Sequence, residues 1–253
     1  RSEGFQQTFI NIVGNLVTTA FSALAVILIT RILGPQNFGE FSVGFSLVLI
    51  ITRLNDFGLN TAITKFASSA QNNSEKKYIY SITLKYKKTI SFLFVILGVL
   101  FYQKIAGYFN LQNPLIILFS LTFGICTVYF EHLLVTLQSL HLFSKAVLIN
   151  ALQTGSKLIG TLTLMFFHVV NPAYYFLVYI ASPFIPTFFT KKLLPQSIQD
   201  EKIRESSDLE RKILALARHS SVALISAGII ENIDVLFLQK NLTSYEAGLY
   251  SGI

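Results

Sequence analysis

The sequence predicts an all-α protein, a polytopic bundle of transmembrane helices, on three observations. Apolar runs of about 20 residues, the length that crosses a hydrocarbon core, follow one another with short polar breaks. Of the 253 residues, 52% are hydrophobic and 13% charged, with a mean hydropathy of +0.57, whereas a soluble domain carries about 25% charge. The runs do not alternate every second residue, so the backbone satisfies itself as helix and not as barrel strand.

The first span reads from Thr8 to Ile32 and the second from Phe38 to Phe66, joined across Gly34-Pro35. A polar, basic segment from Ala67 to Lys88 precedes a third span, Thr89 to Tyr108. Asn110 to Asn113 break the chain and Pro114 opens the fourth, which runs to Leu140. The fifth covers Ala146 to Phe167, and the sixth, opened by Asn171-Pro172, covers Ala173 to Thr190. After the charged stretch Lys191 to Lys212, a seventh runs from Ile213 to Leu238. The expected division is therefore a six-helix bundle over 1–190, a charged cytoplasmic linker over 191–212, and the start of a second bundle over 213–253. The chain begins at Arg1 and stops just inside an eighth helix, so it is expected to be part of a longer protein. No cleaved signal peptide is expected, because the first apolar run is long, carries Asn11 and Asn15, and lacks a small-residue cleavage site.

Leu33-Gly34-Pro35-Gln36-Asn37-Phe38-Gly39-Glu40-Phe41-Ser42 recurs in degenerate form as Leu242-Thr243-Ser244-Tyr245-Glu246-Ala247-Gly248-Leu249-Tyr250-Ser251. The offset of 209 residues that carries Gly39 onto Gly248 also carries Arg31 onto Lys240. An even number of spans separates the copies, so the expectation is a parallel repeat, related by an axis along the membrane normal, with a cavity between halves.

Lys and Arg set the orientation. One set of loops holds Lys76, Lys77, Lys85, Lys87, Lys88, Lys145, Lys191, Lys192, Lys202, Arg204, Arg211 and Lys212, and the other only Arg31, Lys104 and Lys240. The N-terminus is therefore expected in the cytoplasm and the chain in the cytoplasmic membrane. With no Trp, the interfacial belt falls to Tyr78, Tyr80, Tyr102, Tyr108, Tyr174 and Tyr175. The basic, tyrosine-rich segment from Ser74 to Lys88 reads either as a surface for anionic headgroups or as a topology signal. Nucleic-acid binding is not expected beside transmembrane helices.

Several spans carry polar stripes at helical spacing: Asn11, Asn15, Thr18 and Ser22; Arg53, Asp56, Asn60 and Thr64; Ser120, Gly124, Thr127, Glu131 and Gln138; Asn150, Thr154, Lys157 and Thr161. In the seventh span Arg218, Ser221, Gly228, Glu231 and Asp234 come closest to the same pattern. A charge at mid-membrane costs roughly 2.5 to 3.5 kcal/mol, so each needs a partner or a wet cavity. Arg53 and Asp56 are spaced to neutralise each other on one helix. Lys157 has no carboxylate at i±3 or i±4 and must look to another helix, water or a ligand. Arg53, Lys157 and Arg218, with Asn11, Asn15, Asn60 and Asn150, are the candidate cavity residues for an anionic cargo, although Arg218 lies where it can snorkel to headgroups. Asp56, Glu131, Glu231 and Asp234 are candidates to bind a coupling ion, H+ or Na+, or to balance the cations.

No metal site or cofactor is expected. His132, His141, His168 and His219 do not share metal-ligand spacing on one helix, Cys126 stands alone, and no phosphate-cradling glycine motif is present. Nor do Ser and His residues form a nucleophile arrangement, so an enzyme is not expected.

Three motifs resemble the polysaccharide flippases of the multidrug/oligosaccharidyl-lipid/polysaccharide exporter superfamily, of the kind that carry O-antigen-type lipid-linked oligosaccharides. They are Arg31-Ile-Leu-Gly-Pro-Gln-Asn-Phe-Gly-Glu-Phe, Leu54-Asn-Asp-Phe-Gly-Leu-Asn-Thr-Ala, and Glu231-Asn-Ile-Asp-Val-Leu-Phe-Leu followed by Glu246-Ala-Gly-Leu-Tyr-Ser. The resemblance implies two six-helix bundles around a central cavity and translocation of lipid-linked oligosaccharides, usually on polyprenyl-pyrophosphate carriers, by alternating access. It further implies that cations hold the pyrophosphate and sugar acids, with Arg53 and Lys157 the candidates by position, and that glycan-assembly machinery is a partner. On this expectation the chain lacks most of the second bundle and does not transport alone. The alternatives are a cation-coupled multidrug or small-molecule exporter of the same superfamily, with an acidic, aromatic cavity, and a membrane glycan-assembly enzyme, for which the outer loops are too short.

Overall fold

The computed structural model describes residues 2–184, 195–199 and 206–252, and among these every regular element is a helix. The first, α1 (Ser2–Asp56), is two helical arms joined at Gly34, whose φ of 65° and ψ of 170° are non-helical. A Cβ there would meet nothing within 4 Å, so the conformation and not the space requires glycine. Pro35 follows, where its missing N–H is harmless at the start of the second arm. The two arms are the expected first and second spans, but the second is shorter than expected. Phe57 and Gly58 take positive φ, 48° and 75°, and α2 (Leu59–Ser69) sets off anew. A Cβ on Gly58 would stand 2.5 Å from the carbonyl oxygen of Ala217, so a later helix occupies the notch.

Most of the basic segment expected as a loop, from residue 73 to 88, is instead nearly the first half of α3 (Asn73–Tyr108), continuous with the third span. α4 (Leu115–Ser139) and α5 (Phe143–Phe166) match the fourth and fifth spans. Three helices stop in the same way. Asn110, His141 and His168 take φ of 52°, 59° and 52°. The next residue's N–H returns to the carbonyl five residues back: Leu111 to Ala106, Leu142 to Leu137 and Val169 to Leu164, at 3.0, 2.9 and 3.0 Å. Two of the four histidines thus serve as helix stops.

α6 (Pro172–Ala181) is capped by Asn171, whose Oδ1 accepts from Ala173 N–H at 3.0 Å. Residues 185–190 of the expected sixth span and residues 191–194 and 200–205 of the expected linker lie outside the described residues; the described part of the linker holds α7 (Gln196–Gln199) and the first turns of α8 (Ser207–Ile230). The expected seventh span breaks at Glu231-Asn232, and α9 (Ile233–Asn241) and α10 (Ser244–Ser251) complete the chain. Among the described residues, α1, α3, α4 and α8 are long and apolar enough to cross a membrane, and α6 is a shorter apolar helix.

The core lies between the second arm of α1, α4 and α6. Phe41 packs on Phe176 at 5.0 Å between ring centroids and on Tyr179 at 5.8 Å, and Tyr179 continues to Phe123 at 5.5 Å. The repeated turns meet each other directly. A Cβ on Gly39 would stand 1.7 Å from the carbonyl oxygen of Ser244, and one on Gly248 would stand 1.9 Å from that of Pro35. Pro35 and Ser244, like Gly39 and Gly248, are 209 apart. The contact is therefore reciprocal, as between parts related by a two-fold axis, and only glycine lets the backbones approach so closely.

Candidate functional site

Asp56 ends α1 just before the notch at Phe57-Gly58, so its carboxylate faces the first turn of α2. Its Oδ1 accepts from Asn60 N–H at 3.2 Å, an anion held at a helix N-terminus. The same oxygen lies 2.8 Å from Lys87 Nζ, and this ammonium also donates to Asn60 Oδ1 at 2.7 Å. The side chain of Lys87 is 0% exposed. The expected Arg53–Asp56 pair is thus replaced by a pair between helices. The physical reason is the break, which sets Asp56 against the first turn of α2 and within reach of Lys87 on α3.

Arg53 packs its stem over Gly228, where a Cβ would lie 2.8 Å from Arg53 Cγ. Among the described residues no carboxylate lies within 4.0 Å of its guanidinium. Arg53 instead lines a cavity of about 310 Å³ with Asp56, Asn60, Glu131, Gln138 and Leu224, drawn from α1, α2, α4 and α8. Glu131 feels the charges of Asp56, Arg53, Lys87 and Lys157. Of these cations only Arg53 lines the cavity; Lys87 and Lys157 act on Glu131 from outside its lining.

Lys157 sits deeper. It lies about 21 Å from the start of α5 and about 14 Å from its end, and its Nζ is 5.2 Å from the ring centroids of both Phe123 and Tyr179. Asp56, by contrast, is about 33 Å along α1 from Gly34, a full hydrocarbon thickness.

The other candidates are not brought into this cavity. Arg218 lines a separate, exposed pocket with Phe57, Glu210 and Arg211. Asn11 is half-buried, and Asn15 is exposed with its carbonyl accepting from Thr18 Oγ1 at 3.0 Å. Asn150 is half-buried beneath Thr154, which donates to its carbonyl at 2.9 Å. Glu231 is exposed at the break after α8, and Asp234 accepts from the Tyr250 hydroxyl at 3.0 Å.

Two residues of the site were missed by sequence reasoning. Lys87 was counted among the loop cations, yet Ile79, Thr83, Lys87 and Ser91 are spaced at i, i+4, i+8 and i+12 and all are buried. Carrying the helix back through the basic segment exposes that stripe. His132, beside Lys87, is buried and its Nδ1 has no hydrogen-bond partner among the described residues. No comparable signal marks it in the sequence.

The family of polysaccharide biosynthesis proteins matches residues 5–253. No curated protein matches the chain. A solved structure described as the inward-facing conformation of a multidrug resistance MATE family transporter of the MOP superfamily is similar, with a TM-score of 0.74. Its identity is 13%, over 96% of this chain and 60% of that one. The MATE multidrug transporter DinF-BH, solved as a complex, is similar with a TM-score of 0.71 at 11% identity, over 97% of this chain and 58% of that one. At such identities the likeness is one of fold, and this chain spans about 60% of the length of these structures.

Proposed function

The chain belongs to the polysaccharide biosynthesis protein family, and from that premise we propose that it is the first bundle and the opening of the second in a flippase for an anionic lipid-linked oligosaccharide. One observation carries the reading: Asp56 is taken by Lys87, which leaves Arg53 facing the 310 Å³ cavity without a carboxylate within 4.0 Å among the described residues. A guanidinium in that position matches the paired oxygens of a phosphate or a sugar acid. The carrier would be of polyprenyl-pyrophosphate type, delivered by glycan-assembly machinery in the cytoplasmic membrane, with the N-terminus cytoplasmic. Transport would follow from unequal affinity in two states, the Gly39–Gly248 seam closing one end while the Arg53 cavity opens toward the other.

A second reading keeps the transporter and changes the cargo. Glu131 faces the same cavity, and a carboxylate there suits a cationic small molecule or a coupling H+ or Na+. Complementation of a flippase-deficient bacterium with the full-length gene separates the two. Arg53→Gln and Lys157→Gln are expected to abolish glycan display at normal membrane abundance, with Arg53→Lys and Lys157→Arg restoring part of it. Full display by both Gln variants would remove the cations from cargo binding. Drug resistance that depends on Glu131, with no glycan display from the wild type, would favour the exporter.

A further inference from the structure

The second arm of α1 and α3 splay apart where both rest on α4, leaving an apolar slot of about 670 Å³. Leu47 and Leu54 form one wall, Phe94 and Leu97 the other, and Leu121 the floor. The floor is tight, since a Cβ on Gly98 would stand 2.1 Å from Leu121 Cδ2. Along α3 the slot runs from Phe94 to Tyr108, about 21 Å. Its polar end is built at the Gly34 side of the molecule, where Tyr108 and Lys104 line it and Lys240 Nζ stands 4.3 Å over the Tyr108 ring.

That side of the protein is poor in cations, yet Lys104 lines this mouth and Lys240 reaches its edge over the Tyr108 ring. Neither has a carboxylate within 4.0 Å among the described residues. The nearby acids are engaged: Glu40 accepts from Gln112 N–H at 2.8 Å, Asp234 from the Tyr250 hydroxyl at 3.0 Å, and Glu246 is bound to Thr243. The mouth is also held in place, because Gln239 Nε2 donates to the Phe109 carbonyl at 2.9 Å and so ties α9 to the end of α3.

We propose that this slot holds one acyl chain of an anionic membrane phospholipid, with the phosphate headgroup between Lys104 and Lys240. An apolar slot ended by two unneutralised ammonium groups is complementary to such a lipid and to no uncharged one. The lipid would bridge the first bundle, through α3, and the second repeat, through α9. The site is separate from the Arg53 cavity and does not depend on the cargo assigned there.

The test is lipid retention by the full-length protein, reconstituted in phosphatidylcholine vesicles containing a minor fraction of phosphatidylglycerol, re-extracted in mild detergent and weighed by mass spectrometry. Phosphatidylglycerol should be retained above its input ratio. Lys104→Gln and Lys240→Gln should each lower that preference about fivefold, and Lys104→Arg and Lys240→Arg should keep it, which separates charge from misfolding. Leu97→Trp, which fills the slot, should release both lipids. Retention at the input ratio by the wild type, or a preference unchanged in the double Gln variant, overturns the proposal. So does full displacement by inorganic phosphate, since the chain would then contribute nothing.

Discussion

Around Lys87 the chain supplies a carboxylate and an amide, and around Lys157 two aromatic rings. The first environment is closed in charge: Lys87, Asp56 and Asn60 satisfy one another across α1, α2 and α3. The second leaves the ammonium attracted but not neutralised, because a ring quadrupole attracts a desolvated cation by about 2 kcal/mol or more yet carries no net charge. The position of each explains the difference. Lys87 lies a hydrocarbon thickness from Gly34, where three helices need a fastening, whereas Lys157 lies near mid-helix and faces the core that leads to the seam. One lysine locks the bundle, and the other keeps its charge available.

The largest test of this contrast is Lys87→Met. It leaves Asp56 buried beside a helix end with no cation, and should cost about 3–5 kcal/mol. The loss would be read as the fall in the midpoint of thermal unfolding followed by size exclusion. Asp56→Leu combined with Lys87→Met should recover most of that loss, since apolar pairs replace buried ion pairs with little penalty. Asn60→Ala removes one hydrogen bond to the ammonium and should cost about 1.5 kcal/mol by the same assay. The smallest effect is expected from Lys157→Met, within about 1 kcal/mol, because the rings stay packed and Glu131 keeps the charges of Arg53 and Lys87. Should Lys157→Met destabilise as much as Lys87→Met, the two environments are alike and the distinction drawn above fails.

The repeat and the helix order were legible because they rest on local chemistry. Gly-Pro at 34–35, Asn-Pro at 171–172 and the paired glycines at one offset leave their marks in the sequence whatever the tertiary structure. The helix breaks at Phe57-Gly58 and Glu231-Asn232 were not seen, since the polar residues around each, Arg53 to Asn60 and Glu231 to Asp234, fit the polar stripe of an unbroken helix. Lys87 was hidden for a related reason. It stands among Lys85 and Lys88, and a charge run does not say which member turns inward until the helix phase is known. Arg53 and Asn60 of one polar stripe and Glu131 of another line one cavity in the structure, but the partner of Asp56, Lys87, lies two residues before the expected start of the third span.

The seam between Gly39 and Gly248 has a consequence for how the halves are joined. Because each copy offers the other the same glycine and the same carbonyl, the contact would form equally well between two detached halves. The covalent connection then acts as a tether: it raises the effective concentration of one surface near the other without adding to their specificity. A split chain, expressed as two polypeptides cut within the 191–212 stretch, should therefore reassemble through this contact together with those of Ala217 on Gly58, Gly228 on Arg53 and Gln239 on Phe109, and a side chain at either glycine should weaken that reassembly.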